Sequence, residues 1–270
     1  VSYVDDSPID SPDCDSGNTN PSAQYDGPLV QITVVVHVIQ NTSGQGVLSD
    51  ALVRSQIDVL NEDFSATNVN SIGVDTRIRF ALATLDPQGN PTTGSVRHTN
   101  DTWFNDGGSY WNTIAWGPTR YMNVYTNTAG GSLGYVPFLP ASGGGSIGTN
   151  RDRVVCAWDS FGRTGTGGRF SLGRTCTHEV GHYLGLLHTF SGGCGGGNCF
   201  TSGDLICDTN AESSPNFGCQ STPPSSCGSP DPIDNYMDYS DDVCMTVFTQ
   251  QQSRRMRCTL QSFRPTIAQP

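Results

Sequence analysis

Residues 31–40 are almost continuously apolar and rich in β-branched side chains: Ile32, Val34, Val35, Val36, Val38 and Ile39. A short run of this kind predicts a buried strand and is too short to span a membrane. His37 within it reads as a hydrogen-bonded core histidine rather than a ligand. The period then changes. Leu52, Val53, Ile57, Leu60 and Phe64 recur at helical spacing behind Ser49 or Asp50, either of which can cap the helix. Further strands are predicted at 77–85, 120–126, 133–136 and 153–158, and a second helix over 172–184. A glycine-rich, pattern-poor stretch follows, and a last helix closes the chain at 249–263. The first 28 residues are rich in Asp, Ser, Pro and Asn without a hydrophobic period, which predicts an extended arm over 1–28. Order in that arm needs a tether such as Cys14.

The helix at 172–184 carries chemistry. Residues 178–188 read His-Glu-Val-Gly-His-Tyr-Leu-Gly-Leu-Leu-His. Histidines four residues apart project from one helical face, so His178 and His182 can reach one cation at roughly 2.0–2.1 Å. Gly185 can take positive φ and end the helix in a sharp turn, which returns His188 to the metal from the far side. Three neutral nitrogens leave a fourth position for water, as in catalytic rather than structural zinc sites. Glu179, beside the metal, can take the proton of that water, whose pKa falls from 15.7 toward about 7 on zinc. A binding protein holding zinc structurally would supply a fourth His or Cys. Cys176 is the one nearby candidate, and a disulfide is the better use of it.

Composition narrows the class. At 270 residues the chain suffices for one domain, or for two subdomains sharing a cleft. A net charge of −11 leaves no basic patch for nucleic acid, and no apolar run of membrane-spanning length occurs. Ten cysteines without a Cys-x-x-Cys pair indicate disulfides and an oxidising, extracellular location. The start lacks a leader peptide, and the chain reads as a mature form whose targeting segment and any propeptide have been removed. Asn41-Thr-Ser and Asn100-Asp-Thr are glycosylation acceptors in a eukaryotic source.

The extended histidine motif matches the metzincin clan, and Asn235-Tyr236-Met237-Asp238-Tyr239 fits the methionine turn of that clan. The string 235–245, Phe248-Thr249-Gln250, Leu60-Asn61-Glu62-Asp63-Phe64 and Asp208-Thr209 resemble the pappalysin family, over about residues 30–262. The likeness is to its small microbial secreted members rather than to the large multidomain ones.

That resemblance implies an α/β (α+β) metzincin-like catalytic domain over 29–270. Its parts are a twisted, mostly parallel five-stranded sheet with an antiparallel edge strand, a backing helix and the active-site helix, in an upper subdomain 29–185. An irregular, disulfide-stapled lower subdomain 186–270 ends in the C-terminal helix. The implied activity is secreted zinc-dependent endopeptidase action on polypeptides by a monomer, with Glu179 as general base on a zinc-bound water; the alternative is a secreted binding protein with structural zinc. Met237 would floor the zinc site, and Tyr239 would donate to the developing oxyanion. The edge strand around Leu133-Gly134-Tyr135 would bind substrate as an added strand. Further implied features are pairs Cys199–Cys227 and Cys219–Cys244, and a calcium ion on Asp204, Thr209 and the carbonyls of Gly203 and Ile206. Asp242 would select Lys or Arg after the scissile bond, unless Asp241 and Asp242 merely brace the turn. Of the remaining cysteines, Cys194 and Cys207 would close a short loop. Cys14 reads as disulfide-bonded rather than as a latency plug on the zinc, and the connectivity of Cys156, Cys176 and Cys258 stays open.

Overall fold

The structure, a computed structural model, describes residues 14–15, 17–140, 146–196 and 198–269. Residues 1–13 of the expected arm lie outside that set. The long strand β1 (Val30–Gln40) is the spine of the sheet. Along one side it pairs in parallel first with β2 (Ile78–Leu82) and then with β3 (Ser95–Thr99). Along the other it pairs in parallel with β4 (Met122–Asn127), and β4 with β6 (Val154–Ala157). The edge strand β5 (Gly134–Tyr135) lies antiparallel to β6, with Gly134 opposite Cys156. The order β2-β1-β4-β6-β5 is the expected five-stranded sheet. Two strands enlarge it: β3, and β7 (Ala268–Gln269), antiparallel to the start of β1. β3 carries a single aliphatic residue, Val96, and none of its side chains is fully buried, so no hydrophobic pattern marks it.

Both faces of the sheet are covered. Val34, Val36, Val124, Val154 and Cys156 face the main core, whereas Ile39, Tyr125, Val155 and Ala157 face a second cluster. The first face receives α1 (Asp50–Phe64), capped by the Ser49 side chain, which accepts from the Leu52 amide at 3.1 Å. Two short helices, α2 (Asp101–Phe104) and α3 (Tyr110–Ile114), bring Phe104 and Tyr110 to the second face. The active-site helix α4 (Arg174–Tyr183) packs between α1 and β6. The closing helix α5 (Gln250–Phe263) starts with a capping box between Thr249 and Gln252. His37 is fully buried, bonded to Asn123 Oδ1 at 3.0 Å and to His98 at 3.2 Å.

The disulfides partly correct the expected pairing. Cys219 does join Cys244, but Cys199 pairs with Cys207 and Cys194 with Cys227. The reason is local. The Asn198 side chain accepts from the Phe200 amide and its carbonyl from the Thr201 amide, and this turn reverses the chain so that Cys199 meets Cys207 at a Cα separation of 5.2 Å. Cys194 is left for Cys227 beyond the turn. Cys14 bonds Cys258 and so tethers the arm to α5. Cys176, expected in a disulfide, is a free thiol: it and Cys156 are buried in the main core, on α4 and β6.

Candidate active site

Helix α4 starts after Gly173, which takes φ +84° and offers no side-chain cap. The cap comes from a distant residue. Asp242 Oδ2 accepts from the amides of Leu172 at 2.8 Å and Arg174 at 3.3 Å, placing a carboxylate at the positive end of the helix dipole. One turn on, Thr177 donates to Asp63 Oδ2 at 2.7 Å and so ties α4 to α1. At the other end Gly185 has φ +94°, and a Cβ there would meet Thr259 Oγ1 at 2.4 Å. Glycine thus both turns the chain and lets it pass α5.

The turn closes a triangle of imidazoles. The Nε2 atoms of His178, His182 and His188 lie 3.0–3.2 Å apart. Nitrogens on a tetrahedral ion at 2.0–2.1 Å stand roughly 3.3 Å from one another, so the triangle fits zinc with little adjustment. His178 Nδ1 faces the Tyr236 carbonyl at 2.7 Å, and His182 Nδ1 the Leu186 carbonyl at 2.8 Å. These acceptors hold the proton on Nδ1 and turn each Nε2 lone pair toward the metal. Burial also lowers the pKa of all three rings, to about 4 for His182 and about 3 for His188, so they are neutral ligands at pH 7. Among the described residues no other His, Cys, Asp or Glu joins this group, so a metal held there would keep a position open for water.

Met237 is fully buried against α4: a Cβ on Gly181 would fall 2.4 Å from its sulfur. Its turn is built by Asn235, whose Oδ1 accepts from the Met237 amide and whose amide group pairs with Gln252 of α5. Glu179 stands on the opposite, cleft side, beneath β5. A Cβ on Gly134 would come within 2.7 Å of Glu179 Cγ, so the edge strand can approach only with glycine there. Burial pushes the Glu179 carboxyl up to about 8 before any metal charge acts on it.

Tyr239 is 37% exposed at the cleft and packs against His188 at 4.9 Å between ring centroids and His178 at 5.7 Å. Burial raises its pKa, with Glu179 and Asp238 adding to the effect, so the phenol stays a hydrogen-bond donor. Asp242 lines the same cleft, of about 480 Å³, and burial pushes its carboxyl up to about 6. The cleft therefore collects the three histidines, Glu179, Tyr239 and Asp242. Asp204, Thr209, Gly203 and Ile206 line a separate cavity of about 160 Å³. Missed by sequence reasoning were Phe190, stacked on His188 at 4.6 Å, and Phe217, which also lines the cleft. Both sit in a pattern-poor segment; the signal that could have found Phe190 is its place two residues after a ligand.

A histidine triad open to a cleft, with a carboxylate beneath an edge strand, defines a metallopeptidase. The family model described as pregnancy-associated plasma protein-A, peptidase M43, matches residues 109–261. Extracellular metalloprotease 1 of Coccidioides posadasii is 35% identical over 242 residues, covering 87% of this chain and 78% of the relative. An extracellular metalloprotease of Pyricularia oryzae is 36% identical over 241 residues, with 86% and 76% covered. Among solved structures, Tannerella forsythia mature mirolysin in complex with a cleaved peptide is 33% identical at a TM-score of 0.72, covering 90% of this chain and all of that one. The chain belongs to the pappalysin family of metallopeptidases, and that membership implies zinc on the triad.

Proposed function

We propose that this chain is a secreted zinc endopeptidase in which Glu179 is the general base, Tyr239 the oxyanion donor and Asp242 the selector of Lys or Arg after the scissile bond. The observation that carries this is the triangle of Nε2 atoms with Glu179 on its open side. A zinc ion there supplies a Lewis acid and lowers the pKa of water toward about 7. Glu179 then accepts the proton of the attacking water and can pass it to the leaving amine. Tyr239, kept neutral, donates to the oxygen of the attacked carbonyl. The extended substrate lies along β5, whose outer edge carries no other strand among the described residues. The cleft separates an upper subdomain 29–185 from a lower one 186–270.

Arg174 shares the pocket with Asp242, but the carboxylate of Asp63 faces it from behind at 3.5 Å. Arg174 still acts on Asp242 through space, and Asp242 Oδ2 is engaged by the amides at the start of α4, so it is Oδ1 that would meet a basic side chain with a charge-assisted contact. Cleavage of a proteome-derived peptide mixture tests the reading directly: cuts should concentrate before Lys and Arg. In Asp242→Asn the kcat/KM ratio of Lys to Leu at that position should fall about tenfold or more. An unchanged ratio removes Asp242 from the pocket and leaves it only as the cap of α4.

The loop around Asp204 supports a calcium ion. Asp204 is buried, takes only local donors among the described residues, the Thr209 hydroxyl at 2.7 Å and the Ile206 amide at 3.1 Å, and burial pushes its carboxyl up to about 7. A desolvated carboxylate beside the carbonyls of Gly203 and Ile206 and the Thr209 hydroxyl suits a hard cation. Chelating calcium while resupplying zinc should lower the melting temperature by several degrees. Identical melting curves would rule the ion out.

A further inference from the structure

The cleft has two chemically different ends. Helix α4 runs from Arg174, whose amide donates to Asp242, past His178 and His182 toward the turn that brings back His188. Asp242 therefore marks the end of the cleft at the start of α4. The other end is aromatic. Phe190 stacks on His188 with an interplanar angle of 9°, Tyr239 meets Phe190 edge-on at 4.9 Å, and Phe217 leans on Tyr239 at 5.9 Å.

Phe217 is the outermost of these rings and is 60% exposed. Its exposure does not come from a loose loop. On one side the Asn216 amide donates to Asp238 Oδ1 at 3.0 Å, and its side chain to Glu212 Oε2 at 2.8 Å. On the other, Gly218 bridges in parallel to Ser240, and Cys219 is bonded to Cys244. The segment 217–219 thus runs beside 239–241, with Phe217 at the Tyr239 end and Cys219 toward Asp242. A large apolar ring held on fixed backbone at the mouth of a cleft presents a preformed surface for an apolar ligand group.

We infer that Phe217, with Tyr239 and Phe190 behind it, forms a subsite selecting a large apolar or aromatic side chain on the amino side of the scissile bond. The inference rests on the preceding assignment of the Asp242 end to the residue after that bond. A substrate laid along β5 must pass both ends, so its side chains before the bond reach the aromatic wall. An aromatic or long aliphatic side chain gains contact with Phe217 there, whereas a small or charged one leaves the ring wet.

Profiling wild type, Phe217→Ala and Phe217→Leu on the same peptide mixture tests this, followed by kcat/KM on paired peptides differing only in Phe or Gly before the bond. Wild type should favour the apolar partner by on the order of tenfold, Phe217→Leu should retain part of that preference, and Phe217→Ala should reduce the ratio to near one. The preference after the bond should not move in either variant, and the melting temperature should hold because the ring is exposed. An apolar preference that persists in Phe217→Ala, or its absence from wild type, overturns the inference. Asp242→Asn separates this from the reading it rests on: loss of the basic preference belongs to Asp242 alone. Should the apolar preference lie after the bond and the basic one before it, the assignment of the ends fails for both.

Discussion

Glu179→Ala is expected to bind zinc and keep its fold while losing about 10²–10⁴-fold or more in kcat, the span general bases commonly supply. The side chain makes no contribution to the triangle of Nε2 atoms, which is set by α4, the Gly185 turn and the carbonyls of Tyr236 and Leu186. Nor does it form an ion pair among the described residues, and burial is the cause of its raised pKa. Its removal opens space under Gly134 without stranding a buried charge, so stability should change little. Zinc content by atomic absorption, thermal melting and casein hydrolysis together decide the matter. A variant that holds zinc and still cuts casein at the wild-type rate would exclude Glu179 as the base. One that loses zinc would show a role in holding the metal instead.

The zinc centre was legible because its geometry is local: within eleven residues, helical spacing and one glycine place His178, His182 and His188. The sheet was legible where burial is two-sided, as in β1, and illegible at β3, where strand formation depends on a neighbour rather than on apolar residues. The disulfides show the limit most plainly. Cys194, Cys199, Cys207 and Cys227 lie in a segment without periodicity, and the turn at Asn198 decides which sulfurs meet. The capping of α4 by Asp242 was hidden for a related reason. A helix capped from seventy residues away carries no capping signal in its own sequence, and Gly173 before α4 looks like a missing cap.

Asp63 is the other position where one side chain should decide a large effect, and here the readout is stability. Its carboxylate is buried and accepts from Thr177 of α4, from Asn68 at 3.1 Å and from Tyr236 of the methionine turn at 2.9 Å, with Arg174 at 3.5 Å. Burial nevertheless pushes this carboxyl above its ordinary range, against the pull of Arg174 and the three donors. Ionising Asp63 is therefore harder inside the protein than in water, so its own charge is not a source of stability relative to a solvated carboxylate. Breaking the cluster is a different matter, because Arg174, Thr177 and Tyr236 remain buried without their acceptor. Asp63→Ala should cost about 3–5 kcal/mol in denaturant unfolding, read as a lower midpoint at unchanged slope. Asp63→Asn keeps the volume and one acceptor but turns an NH₂ toward groups that donate, so it should recover only part of the loss. Because Asp63 joins α1 to both the helix bearing His178 and the turn bearing Met237, weakened zinc retention should accompany the lower stability. A loss below about 1 kcal/mol in Asp63→Ala would mean that water or relaxation replaces the carboxylate and that the hub is dispensable.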